Sequence, residues 1–271
     1  MKYLPWFCFA ALIALHSCAV KLGQQTANVA ETPHLRVLSY NVHHCNPPSK
    51  PGLIDIDAIA QVIIKAQPDV VALQEIDVHT ARSGKDIHEA ELLGEKTGMK
   101  AYFVKGIDYD GGEYGIAILS SYPMSDFKKY ELPTIASTKG EPRVLATVVL
   151  DLPGNKKIRF ACTHLDAQRS DTNRVLQIQK IADVLKNETL PVILAGDLNA
   201  VPGSATINTL DRYLVRSCLK DCGFTIPEVN PNKTIDFIAY SRGMFSVMEH
   251  TVIAETYASD HRPVIAVLKL K

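Results

Sequence analysis

Apolar runs of this 271-residue chain end repeatedly in side chains that bind cations or move protons. Asn41 closes the run that begins at His34, Glu75 closes the run from Asp69, and His164 closes the run from Lys157 within Thr163-His164-Leu165-Asp166. Asp197 and Asn199 follow Pro191–Ala195 in Gly196-Asp197-Leu198-Asn199. Asp236 stands early in a later run, and Ser259-Asp260-His261 precedes the last one. The carboxylates and carboxamides of Asn41, Glu75, Asp197, Asn199 and Asp260 are hard oxygen donors with no cysteine among them, a set suited to Mg²⁺ or Mn²⁺ rather than zinc. Such an ion keeps several waters, leaves room for a phosphate oxygen and can sharpen a water as nucleophile. His261 follows Asp260, and Asp236 is available to accept its ring N–H and fix the tautomer. His164 can donate to a phosphate or its leaving group.

Singly, each residue has a plainer explanation: Asn41 as a turn former, Glu75 as a rim carboxylate, His164 as a satisfied histidine, Gly-Asp-Leu-Asn as an Asx turn. Their joint arrangement is what argues for one site. His43-His44, adjacent in sequence, cannot both face one ion from a regular strand and read as loop residues, one of them at the site rim. His79 and His88 read as loop or helix-start residues. Asp108-Tyr109-Asp110-Gly111-Gly112 reads as a hairpin turn, since the downstream glutamate of a calcium loop is missing.

Positioning such groups requires strands. His34–Tyr40 reads as a strand, Ile56–Ala66 as an amphipathic helix ending at Gln67-Pro68, and Asp69–Leu73 as a buried strand. The unit recurs as strand Lys157–Thr163, helix Asp171–Lys186 and strand Pro191–Ala195. Between the units, Ala101–Lys105, Gly115–Leu119, Phe127–Leu132 and Arg143–Leu150 suggest antiparallel strands; Thr234–Tyr240, Ser246–Ala254 and Pro263–Leu268 add three more. Many strands and few helices predict an α/β (α+β) fold, two packed mixed sheets covered by helices, in one domain over 34–271. Ligands of open α/β sheets sit outside the carboxyl ends of strands, where these polar residues fall.

The 29 Lys and Arg balance 29 Asp and Glu, and 46% of residues are hydrophobic. That composition excludes disorder, collagen and coiled coil, and offers no basic footprint for a nucleic-acid backbone. Met1-Lys2 and the apolar run Leu4–Leu15 are too short to span a membrane and read as an export signal. Leu15-His16-Ser17-Cys18 resembles a relaxed bacterial lipobox, so residues 1–18 are expected to be a signal with Cys18 lipidated and 19–33 a tether. A monomeric lipoprotein on the periplasmic side follows. An oxidising compartment would permit Cys218 and Cys222 to bridge; zinc there would lack further ligands. Cys162 reads as a small buried side chain.

Tyr40-Asn41, Leu73-Gln74-Glu75, Thr163-His164-Leu165-Asp166, Gly196-Asp197-Leu198-Asn199, Thr234-Ile235-Asp236-Phe237 and Ser259-Asp260-His261-Arg262-Pro263 together resemble the endonuclease/exonuclease/phosphatase superfamily, in that family's order, from about residue 34 to 268. The resemblance implies a four-layer α/β sandwich and a divalent-metal phosphoesterase. It implies that Asn41 and Glu75 hold the metal with Asp260 as a further ligand. Asp197 and Asn199 would position or activate the water and hold the scissile phosphate. His261 with Asp236 would be general base or phosphate stabiliser, and His164 would face the phosphate. Arg143, in Glu-Pro-Arg-Val, resembles the phosphate-contacting arginine of the deoxyribonuclease branch, and Arg82 follows Glu75 closely enough to act likewise.

The inositol-polyphosphate branch carries a tryptophan before its Gly-Asp, whereas Trp6 is the only tryptophan here. Abasic-site repair fits poorly with an export signal and no basic face. The expectation is hydrolysis of a small or lipid-linked phosphodiester or phosphomonoester. An exported nuclease using the same site, and a lipid-anchored binding protein without turnover, are the two alternatives.

Overall fold

The computed structural model describes residues 1–3 and 34–271. The lipobox with Cys18 and the tether lie outside the described residues.

The first repeated unit consists of β1 (His34–Asn41), α1 (Ile56–Ala66) and β2 (Val70–Val78). Helix α1 starts at Asp55, whose carboxylate accepts the N–H of Ala58, and stops at Gln67, in the left-handed region ahead of Pro68. Its stripe of Ile56, Ile59, Ala60, Val62, Ile63 and Ala66 is buried, which ties it to the sheet. β1 and β2 run parallel, Val37 opposite Val70 and Asn41 opposite Gln74. The second unit is β7 (Lys156–His164), α3 (Thr172–Leu185) and β8 (Val192–Asp197), again parallel, with His164 opposite Asp197.

Antiparallel strands complete both sheets: β3 (Lys100–Tyr109), β4 (Gly112–Ser120), β5 (Met124–Leu132), β6 (Arg143–Leu152), β9 (Leu214–Arg216), β10 (Asp236–Ser241), β11 (Phe245–Val252) and β12 (Val264–Leu270). One sheet has the order β11-β12-β1-β2-β4-β3 and the other β5-β6-β7-β8-β10-β9. Their facing surfaces share a core that includes Val37, Ala72, Ile118, Val148, Phe160, Ile193, Ile238 and Ala266. The outer faces bury Leu38, Tyr40 and Leu73 with α1 residues, and Ala161 and Leu194 with α3 residues. Both faces of the central strands are therefore apolar, which explains their continuous rather than alternating runs. This is the expected sandwich of two mixed six-stranded sheets flanked by helices.

Three elements escaped the sequence reading: α2 (Glu89–Thr97), α4 (Ala205–Tyr213) and β9. The helices bury a polar or side-chain-free residue where periodicity needs an apolar one, Glu89 and Gly94 in α2, Thr206 and Thr209 in α4. β2 also continues to Val78, well beyond the expected end at Leu73. Tyr109 and Gly112 pair across the expected hairpin turn. Cys218 and Cys222 form a disulfide, whereas Cys45 and Cys162 are buried free thiols.

Candidate active site

Local backbone geometry sets each side chain of the site. Glu75 is the extra residue of a bulge: Gln74 pairs with Ile116 and Ile76 with Gly115, leaving Glu75 unpaired with a left-handed φ of 60°. A bulge re-aims a side chain without ending its strand, so Glu75 leaves the alternation of β2. Next door, β3 shifts register between Lys105 and Ile107. Gly115 lies between the two irregularities, where a Cβ would come 2.2 Å from the Val104 carbonyl oxygen. Gly196 has a similar reason, since its Cβ would fall 2.1 Å from the carbonyl oxygen of Thr163 on the paired strand. That close approach sets the ends of β7 and β8, and hence His164 and Asp197, side by side.

Asn41 joins the two sheets. Its Nδ2 donates to Glu75 Oε1 at 3.0 Å and to Asp197 Oδ2 at 3.1 Å, while its Oδ1 accepts the N–H of His43 at 3.1 Å. The carbonyl of Asn41 accepts from Ser259 Oγ at 2.7 Å, which ties the segment bearing Asp260 and His261 to the end of β1. His261 Nδ1 lies 2.9 Å from Asp236 Oδ2 and its Nε2 lies 3.8 Å from Asp197 Oδ2. Burial alone would lower the proton affinity of His261, but the carboxylate of Asp236 reverses this and raises it above the ordinary imidazole range. Burial, reinforced by the charge of Asp236, pushes the Asp197 carboxyl up. Asp197 Oδ1 accepts the N–H of Asn199, which has a left-handed φ of 46°.

His164 is buried between Arg143, 3.1 Å from Nδ1, and Asn199, 3.1 Å from Nε2. A guanidinium only donates, so Nδ1 must accept and the ring proton sits on Nε2. Nε2 in turn lies 3.5 Å from Asp197 Oδ2. Burial, then the charges of Arg143 and His261, hold the imidazole well below its usual proton affinity, and His164 is a neutral N–H donor. Asn199 Nδ2 donates to the Leu165 carbonyl at 3.0 Å, which fixes its amide orientation, so its approach to Nε2–H is a contact between two donors and the ring proton is left to Asp197.

Asn41, Asp197, Asn199, His164, Asp236, His261 and Arg143 thus form one hydrogen-bonded cluster with Glu75. Asp260 stands at its edge, half-buried, with Oδ1 3.4 Å from Ser259 Oγ. Arg82 is held elsewhere: Nε and one NH₂ group bond both oxygens of Asp77 at 2.7 and 2.9 Å, and its guanidinium lies 4.4 Å from the ring centre of Tyr109. Thr80 and Ser83 also bond Asp77, so Arg82 closes a buried polar knot. Adjacent to it, Glu89 accepts the N–H of Asp77, and burial pushes its carboxyl up to about 8. His43, His44 and Cys45 occupy a tight turn, all three at left-handed φ, instead of an ordinary loop. His44 is neutral there, its proton affinity lowered to about 4 by burial and then by Arg82. His79 is exposed in a loop and His88 caps α2, accepting the N–H of Glu91.

Glu141 and Ser259 stand in the sequence motifs without a role assigned to either there. Glu141 pairs with Arg143 at 2.8 Å, and its place two residues before an arginine was the available signal.

The cluster fits a hard divalent cation. Asn41 places amide hydrogens between the carboxylates of Glu75 and Asp197, where positive charge is needed, and the donors are oxygens. Among the described residues Asp197, Asp236 and His261 bring ligand atoms within 4.8 Å of one another, and Glu75 and, with its amide turned, Asn41 offer further oxygens beside Asp197.

Two mixed sheets that bring carboxylates, carboxamides and histidines together at the ends of their central strands define a phosphoesterase-type α/β sandwich. The chain belongs to the Endonuclease/Exonuclease/phosphatase family, whose sequence model matches residues 38–261. It is similar in fold to an endonuclease/exonuclease/phosphatase from Bacteroides vulgatus, with a TM-score of 0.72 at 19% identity over 88% of this chain and 100% of that one. A mannosyl-6-phosphatase from Bacteroides thetaiotaomicron gives 0.67 at 21% identity over 86% of this chain and 99% of that one. The human Nocturnin catalytic domain with bound sulfate gives 0.68 at 19% identity over 88% and 94%. No curated protein matches the chain.

Proposed function

We propose that the protein hydrolyses small phosphate esters, with Mg²⁺ or Mn²⁺ held by Glu75, Asp260 and Asn41. The observation that carries this reading is the chain of contacts from Glu75 through Asn41 to Asp197 and on to His261 and Asp236, drawn from both sheets. When bound, the ion would neutralise charge on the phosphoryl group.

The protein's own groups have separable tasks. Asp197, its proton affinity raised, orients the attacking water and can accept its proton. His261, charged through Asp236, and the neutral Nε2–H of His164 donate to phosphoryl oxygens. One NH₂ group of Arg143 is committed to Glu141 and His164, which leaves the other for the phosphate. The similar fold of a mannosyl-6-phosphatase makes phosphomonoesters the first class to test, and lipid-linked phosphodiesters the second. Anchoring through Cys18 on the periplasmic side would place the enzyme near such lipids.

The test is a hydrolysis screen across phosphomonoesters and phosphodiesters with and without EDTA. EDTA should abolish turnover, with recovery on Mg²⁺ or Mn²⁺, and Asp197→Ala should lower kcat by about 10³-fold or more. Metal-dependent binding without turnover of any ester would sink the enzymatic reading and leave the binding-protein alternative.

A further inference from the structure

Beside the cluster, two hollows of about 590 and 530 Å³ share Ala167, Gln168 and Arg169 in their walls. One includes Arg143 and Lys139; the other includes Asn199 and Lys233. Each therefore opens onto a residue that touches His164. Two of the three acids of these walls are paired with arginines. Glu141 pairs with Arg143 and Asp171 with Arg174, while Asp166 is buried and accepts from Asn173. Lys139, Arg169 and Lys233 remain: all are exposed, and among the described residues their side chains make no ion pair or hydrogen bond. A chain with as many acids as bases thus carries a local cationic excess on this flank. Three such cations are too few for a nucleic-acid backbone, where tight binding rests on roughly six to ten phosphate contacts. They suit one further anionic group on a small molecule.

We propose that Lys139, Arg169 and Lys233 form a subsite for a second anionic group, phosphate or carboxylate, on the same molecule as the scissile phosphate. This rests on the phosphate-ester reading above and names the class of ester. The apolar part of the wall, Ala200, Val201 and Ile235, gives the body of the molecule a surface to lie against.

The test compares glucose 6-phosphate with glucose 1,6-bisphosphate and 6-phosphogluconate on the full-length protein. Both kcat/KM with Mg²⁺ and affinity by calorimetry in EDTA are read. The wild type should favour at least one bis-anionic compound over the monophosphate by about tenfold, less at high salt. Bisphosphate and phosphogluconate distinguish phosphate from carboxylate as the second group. In Lys139→Gln/Arg169→Gln/Lys233→Gln the ratio should fall to about one, and the single Arg169→Gln variant gives a partial fall if the triple variant melts early. An absent ratio in the wild type, a ratio that survives in the triple variant, or tighter binding of a single-stranded oligonucleotide than of either bis-anion would each overturn the proposal. If no ester is hydrolysed, the enzymatic reading fails on its own, and the affinity ratio in EDTA still decides the subsite.

Discussion

Among individual residues, Arg143 and Glu89 make the sharpest claims. Arg143 forces the proton of His164 onto Nε2 by occupying Nδ1, so Arg143→Gln should free the tautomer as well as weaken phosphate binding. We expect about a hundredfold loss in kcat/KM, together with a change in the ring ¹⁵N shifts of His164 by NMR. Unchanged shifts would show that Arg143 does not set the tautomer. Glu89 tests burial. Its carboxyl, raised from 4.5 to about 8, binds a proton in the folded state that the unfolded chain has lost. Its contribution to stability is thus present below the unfolded value and fades as pH climbs from about 4.5 towards 8, by at most about 1.4 kcal/mol per pH unit. Thermal melts between pH 5 and 9 should show the wild type losing stability faster than Glu89→Gln; parallel curves would refute this. Most of the cluster is readable from sequence, because Asn41, His164, Asp197 and Asp236 stand where apolar runs stop or start. Arg82 is different: its partner Asp77 lies inside β2, and a run read as ending at Leu73 hides that pairing.

For the elements, the bulge in β2 is the feature that composition cannot disclose. Residue types reveal that a carboxylate follows an apolar run, but not that Glu75 takes a left-handed backbone while the strand goes on to Val78. Gly115, paired with Ile76 beside the bulge, lies against the backbone of β3, and Gly115→Ala must push the Val104 carbonyl aside. That substitution should cost about 2–4 kcal/mol and, by turning Glu75, lower metal affinity measured by calorimetry; full affinity in a folded Gly115→Ala protein would contradict the link. The β1–α1–β2 and β7–α3–β8 units are legible because an apolar stripe in each helix meets a buried run in each strand. α4 is not, because it spends inward positions on Thr206 and Thr209.

Taken whole, the molecule divides its site between layers. Asn41 and Glu75 lie on strands of one sheet, with Asp260 and His261 in the loop that leads into its β12, whereas Arg143, His164, Asp197 and Asp236 lie on strands of the other, with Asn199 just past the end of β8. Phe160→Ala, in the core between them, should destabilise by about 3–5 kcal/mol. In urea, activity and the far-ultraviolet signal should then decline with one midpoint, since the sheets cannot part and leave a working site. Separate midpoints would show that the cluster opens before the sandwich does. The Cys218–Cys222 bridge carries a practical consequence. It lies just ahead of the segment whose Thr225 bonds the backbones of Ile235 and Arg262, close to both members of the Asp236–His261 pair. Protein prepared in a reducing host should therefore keep its sheets yet expose residues 217–235 to trypsin at Lys220 and Lys233, so cleavage pattern, more than melting temperature, reports whether a preparation was properly oxidised.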